Sequence, residues 1–321
     1  MLSRVAENVY WLSRYLERMT ITARLVKVYG RTLMDMPGVQ AHDGWMPLIS
    51  ISGLDDLYLE HFDHANEADV TGFLVSDKRN PGSLVNAAIA VRDNLRSSRD
   101  IFPRQMYEKI STLVRYIRGG IDIGVSTRNR HTFLDSVERQ LLEIAGAVHN
   151  SLRQDQAYTF MRIASYIERA DMTSRVLDVP ASVVVSSASE SGYIAELSAL
   201  ENRHWTGALN SVSAMQMYRR HVRQPVSAEG CLRFLLNDEY LPGACRFCLV
   251  RLDRRLEYLK YNEAPRAAVA LLLSKLTHAD VPMLAVDSAA RHEFLDQIQL
   301  GLLVTGDAIA KSYFSSAKNC V

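Results

Sequence analysis

The chain has 321 residues, of which 48% are hydrophobic, enough for one large core or two ordinary ones. Lys plus Arg number 37 against 36 Asp plus Glu, a net charge of +1. That balance excludes a global field steering the chain to nucleic acid or an anionic membrane, while leaving room for a local Arg-lined site.

Pro and Gly are sparse, and long stretches repeat with a period near 3.6 residues. The first helix is expected from about Ser3 to Leu33, with Val5, Val9, Leu12, Leu16, Met19, Ala23 and Val26 as its apolar stripe. Further helices are expected between His42 and His64. Another should start at Pro81, with Asn80 as its N-cap, and run to Ser98. Pro103–Ile117 follows, stopped by Gly119-Gly120, then Thr132–Leu152 and Ala157–Leu177. The Ser-rich stretch Asp178–Gly192, including Val183–Val185, reads as a connecting loop. Helices resume over Ile194–Arg220, near Leu232, and over Pro242–Leu259, Pro265–Leu276 and Ala289–Tyr313. With no strand-rich block, the fold class is all-α, about a dozen helices in a bundle.

Self-comparison adds an internal duplication. Tyr15–Val26 (YLERMTITARLV) aligns with Tyr166–Leu177 (YIERADMTSRVL) at an offset of 151. Tyr15, Glu17, Arg18, Thr22 and Arg24 match Tyr166, Glu168, Arg169, Thr173 and Arg175. Trp45 matches Trp205, and Phe73–Gly82 (FLVSDKRNPG) matches Phe234–Gly243 (FLLNDEYLPG). We therefore expect two repeats, residues 1–151 and 152–321, sharing one core. The two Glu-Arg helices should face each other near the centre.

Within each signature, Glu17/Arg24 and Glu168/Arg175 lie seven residues apart, nearly two turns, and share one face. Arg14 stands four residues from both Tyr10 and Arg18. Charges beside an apolar stripe must be paired. Two readings fit: ion pairs joining the repeats, or guanidiniums gripping a carboxylate or phosphate through their bidentate fork. Arg92, Arg96 and Arg99 share a second face, either solvated or capping such a site. Asp56, Glu60 and His64 fall at i, i+4 and i+8, a metal-ligand spacing and equally a solvated acidic face. Cys245-x-x-Cys248 stands alone and reads as a pair of core or surface thiols. No motif calls for a cofactor. The opening stretch lacks the apolar core of a signal peptide, and no apolar run is long enough to span a membrane, so a reducing cytoplasm is expected. Self-association is left open.

At these signatures the sequence resembles the alpha-E family of bacterial helical proteins. MLSRVAENVYWLSRYLER and YIERADMTSRVLDV carry the resemblance, with VRDNLRSSRD and His204–Arg220. A segment that often reads Phe-Pro-Arg-Ser in the family is here Leu241-Pro242-Gly243-Ala244. The resemblance implies company with circularly permuted ATP-grasp amide ligases and transglutaminase-like proteins, and a part in making or processing a small peptide. The expected role is an accessory one, binding the ligase or its amino-acid or peptide substrate: Arg18, Arg24, Arg169 and Arg175 hold an anionic group, and Glu17 and Glu168 orient them or bind a substrate amine. The alternatives are an enzyme acting on a peptide or amide, with Glu17 or Glu168 as general base, and a pure scaffold.

Overall fold

A computed structural model describes residues 1–34, 44–179 and 194–314, with side chains described for all of these but 32–34 and 194–200. The expected loop at Asp178–Gly192 lies outside them beyond Val179. Among the described residues there are sixteen α-helices and no strand, so the all-α class holds. No described helix is long and apolar enough to cross a membrane.

The organising element is α1 (Ser3–Met34), 32 residues long. Val9, Leu12, Leu16, Met19, Ala23 and Val26 of its apolar stripe are buried. After the short helices α2 (Met46–Ser52), α3 (Asp55–Leu59) and α4 (Glu67–Val75) come α5 (Leu84–Ser97) and α6 (Arg104–Gly119). The five-residue α7 (Ile121–Val125) and then α8 (Arg130–Ser151) close the first half. α9 (Gln156–Asp178) opens the second, its N-terminus capped by Asp155 accepting from the backbone of Ala157 and Tyr158.

Several boundaries differ from expectation: Ile194–Arg220 holds two helices, Ile194–Ser211 and Met215–His221, parted at Ser213 (φ +56); the helix expected from Pro242 starts at Cys245; and α5 starts at Leu84 rather than Pro81. α5 is capped by Ser83, which accepts from Asn86 N–H. Asn80 instead accepts from Gly82 N–H (2.7 Å) and donates to the Phe73 carbonyl (2.9 Å). Asn80-Pro81-Gly82 is thus a fixed turn ahead of the helix, because the Asn side chain satisfies backbone groups that a helix start would have used.

α1 packs against α9, α5 and α8, while α5 packs on α6 and α6 on α8. α9 packs in the same order against the Cys245–Leu256 and Ser288–Tyr313 helices, with the Glu263–Thr277 helix between these two. One continuous apolar cluster runs from Ala6 to Phe314. Cys231, Cys245 and Cys248 are buried in it, and burial pushes the Cys248 thiol up to about 12. They are core thiols.

The two matched tryptophans sit alike. Arg130 lies over the Trp45 ring and Arg291 over the Trp205 ring. Arg130 is neutralised by Glu67 (2.6 Å), whereas Arg291 donates to the Leu284 carbonyl (3.0 Å). Beside Arg291, His204 is 5% exposed. Burial first, and then the Arg291 charge, push its imidazole down to about 4 from an ordinary 6.5. The folded protein keeps His204 neutral, while the unfolded chain takes up a proton below 6.5. Stability is therefore lost as pH falls from about 6.5 towards 4. Urea titrations at pH 7 and pH 5 should differ by about 2 kcal/mol from this group. His204→Phe should flatten that slope; an unchanged slope would remove His204 as its source.

Candidate functional site

The two signature helices lie face to face. Glu168 of α9 is 0% exposed and takes three guanidinium hydrogen bonds from α1. Arg18 donates through Nε to Oε1 (2.6 Å) and through Nη2 to Oε2 (3.2 Å), and Arg14 donates through Nε to Oε2. Arg14 also reaches the Tyr10 hydroxyl one turn earlier (3.3 Å). In the opposite direction, Glu17 of α1 accepts from Arg169 of α9 and from Ser165 Oγ (2.5 Å). The exchange is reciprocal: each Glu-Arg pair gives its arginine to the other helix's glutamate. Ser165 stands where Arg14 stands in the first signature. Ser13 adds a cross-link, donating to the Met161 carbonyl (2.8 Å).

The electrostatics follow from that geometry. Burial raises the Glu168 pKa, but the Arg14 and Arg18 charges outweigh it and hold the carboxyl below its usual range. Both arginines are lowered by burial and raised on balance by Glu168. Glu168 is thus a permanent carboxylate with both oxygens occupied, the opposite of what a general base needs.

Neither final arginine pairs with the glutamate seven residues before it on its own helix. Arg24 reaches Glu138 of α8 (2.7 Å), and Lys27 bridges Glu138 and Asp135 (2.6 and 2.7 Å). Arg175 pairs with Asp171 one turn back (3.1 Å) and lies against Gly53, its Nη1 nearest. Gly53 has φ +68, and a methyl group there would overlap the guanidinium, so glycine answers both demands.

Other candidates separate. Arg92 pairs with its exposed neighbour Asp93, Arg96 is exposed, and Arg99 stacks over Tyr107. None meets the Glu168 cluster. The metal spacing at Asp56, Glu60 and His64 is not realised. α3 ends at Leu59 with Glu60 as its cap, so the three do not share a helical face. No metal-ligating cluster occurs among the described residues. Tyr166 is buried, its hydroxyl taking Arg162 (2.8 Å); Tyr15 is half-buried against Trp11. Neither reaches the opening described next.

Signature residues of both helices meet at a cavity of about 110 Å³. Arg18 and Thr22 come from α1, and Asp171 and Arg175 from α9. The Asn80-Pro81-Gly82 turn forms one side. Leu25, Leu48, Leu54, Leu74 and Met172 give it an apolar floor. Arg18 is 31% and Arg175 27% exposed. Arg18 commits Nε and Nη2 to Glu168 and keeps Nη1; Arg175 commits only Nε to Asp171. Arginines from both signatures therefore line one small opening.

The matching turn in the second half is closed. Thr173 donates to the Gly243 carbonyl (2.8 Å), and Arg169 reaches the Pro242 carbonyl (3.4 Å). Asp171 and the Asn80-Pro81-Gly82 turn are not among the expected site residues. The repeat of Asp-x-x-x-Pro-Gly in both halves is a signal for the turn; Asp171 has none, since its counterpart in the first signature is Thr20.

These features define an all-helical protein whose two Glu-Arg helices lock each other crosswise. The Alpha-E family, described as a predicted alpha-helical domain with a conserved ER motif, matches residues 1–314, and the chain belongs to it. No curated protein and no solved structure matches the chain.

Removing the charge of Glu168 leaves Arg14, 14% exposed, and Arg18, 31% exposed, without their anionic partner. Glu168→Gln should cost about 3–5 kcal/mol in urea unfolding. A loss under about 1 kcal/mol would mean that the guanidiniums find other partners.

Proposed function

We propose that the protein binds the carboxylate end of a small aliphatic amino acid or peptide in the Arg18/Arg175 cavity. In this reading it serves as an accessory component of an amide-ligase system of the ATP-grasp type. The observation that carries the binding half is the pair of arginines at one opening, Arg18 with Nη1 and Arg175 with both Nη groups not bonded to Glu168 or Asp171, above an apolar floor. Two arginines suit a carboxylate through charge-assisted, forked hydrogen bonds. Asp171, 14% exposed at the same opening, suits an ammonium group. The leucines and Met172 suit an aliphatic side chain. The ligase half rests on the family resemblance, as does a transglutaminase-like protein as a further partner. The same reading takes the two halves as copies of one unit, with the second cavity filled by its own Pro-Gly turn.

A second reading, a scaffold, has one observation in its favour: the Glu168 network is complete without any ligand. Catalysis by Glu168 as a base is disfavoured by its buried, doubly paired carboxylate.

Arg175→Lys separates the readings, because Lys keeps the charge and loses the fork. In calorimetric titrations with leucine and short aliphatic peptides, this variant should bind about tenfold more weakly than the parent. Its circular dichroism should be unchanged. No binding by the parent would sink the carboxylate site. A titration in which parent and variant bind equally would return Arg175 to a structural role. Co-purification with an ATP-grasp ligase, and faster ligation in its presence, test the accessory role separately.

A further inference from the structure

A further opening, of about 50 Å³, lies where α1, α8 and α9 meet. At roughly 10–15 Å³ for each water-sized group, it has room for the head of a ligand and the start of its stem. Its acidic group is Glu17, 15% exposed. Both hydrogen bonds to Glu17, from Arg169 and from Ser165, fall on Oε1. Among the described residues none bonds Oε2.

Comparing the two signatures accounts for the opening. Glu17 corresponds to Glu168, and Arg169, which reaches Glu17, to Arg18, which reaches Glu168. Glu168 also has a second guanidinium, that of Arg14, on its Oε2. At the same offset of 151, Arg14 is matched by Ser165 and its partner Tyr10 by Met161. Beside Glu168, Arg14 and Tyr10 bond each other and are buried or nearly so. Beside Glu17 the shorter Ser165 and Met161 stand at an opening instead. Glu17 is thus a carboxylate with one guanidinium, and the open space lies where its counterpart receives the second.

The hydroxyl groups point to the same chemistry. Ser13 donates to the Met161 carbonyl (2.8 Å), Thr20 to the Leu16 carbonyl (2.9 Å) and Ser165 to Glu17 (2.5 Å). All three line the opening. Their protons are spent inside the protein, so their oxygens offer a ligand lone pairs only. Arg162, the cation in the lining, is committed to Tyr166: it donates to the hydroxyl (2.8 Å) and lies over the ring, 4.6 Å from its centre. Leu16, Leu141, Ile144 and Val148 supply an apolar wall. Cationic side chains lay their methylene stems along such surface while the head finds polar partners.

We propose that this opening binds a guanidinium or primary ammonium group on a short aliphatic stem. Glu17 Oε2 is its anion, and it takes the place that Arg14 holds beside Glu168. The site is separate from the Arg18/Arg175 cavity and selects the opposite charge.

The test is isothermal titration of the full chain with n-propylguanidinium chloride and, separately, with n-butylammonium chloride. We expect one site per chain with a Kd of about 1 mM, undisturbed by leucine. Ser165→Arg supplies the second guanidinium from within the protein and should weaken binding at least about tenfold, with circular dichroism unchanged. Ala145→Phe, at an exposed position of α8 in the lining, narrows the opening and should weaken binding likewise. It decides the matter should Ser165→Arg fail to fold. Tighter binding of n-propylguanidinium identifies a guanidinium ligand, and tighter binding of n-butylammonium an amine; either supports the site. No heat from either probe at about 10 mM, displacement by leucine, or an affinity equal to the parent's in either folded variant would each overturn it.

Discussion

A fully buried carboxylate between two guanidiniums sets the terms for the rest of this structure. At the α1–α9 contact burial opposes the ionised form of Glu168, and Arg14 and Arg18, by reaching it, hold it as a carboxylate. Hydrophobic burial would allow two apolar helices to slide or rotate against each other, because it is roughly proportional to area and carries no direction. Charged hydrogen bonds do not allow this. The reciprocal pair, Glu17 with Arg169 and Glu168 with Arg18, fixes both the translation and the rotation of α1 on α9. Neighbouring helices pack onto that pair: α5 and α8 on α1, the Cys245–Leu256 and Ser288–Tyr313 helices on α9.

The lock also explains why the candidate site is where it is. Arg18 is held by two of its nitrogens and presents the third at a defined place. Arg175 is held by Asp171 and by its close contact with Gly53. Such restraint removes most of the side-chain entropy that an arginine would otherwise lose on gripping a ligand. The two halves use the same parts to different ends. In the second half Thr173 and Arg169 bond the Pro242-Gly243 backbone. In the first, Thr22 and Arg18 border open space below the Asn80-Pro81-Gly82 turn.

Much of the fold was legible from the sequence, since helical periodicity is a local signal. The long helices appear within a few residues of their expected ends, as with Thr132–Leu152 against Arg130–Ser151. The α5 start was misread because Asn-Pro imitates a cap followed by a first turn, whereas Ser83 does the capping. The meeting of the two signatures followed from the alignment, but their wiring did not. Spacing along one helix suggested Glu17 with Arg24, and tertiary contacts gave each a partner on another helix. The Asp56, Glu60 and His64 spacing failed for a related reason: it presumed a helix longer than the five residues of α3. A cavity between helices leaves no periodic mark, so the Asn80-Pro81-Gly82 turn and Asp171 emerged only from the packed structure.

The most direct test of the central claim is a double-mutant cycle on Glu17 and Arg169, measured by urea unfolding of Glu17→Ala, Arg169→Ala and the double variant. If the reciprocal exchange locks α1 to α9, the two losses will be coupled by about 2 kcal/mol. Losses that add to within about 0.5 kcal/mol would show that the pair carries no shared energy, and would contradict the account.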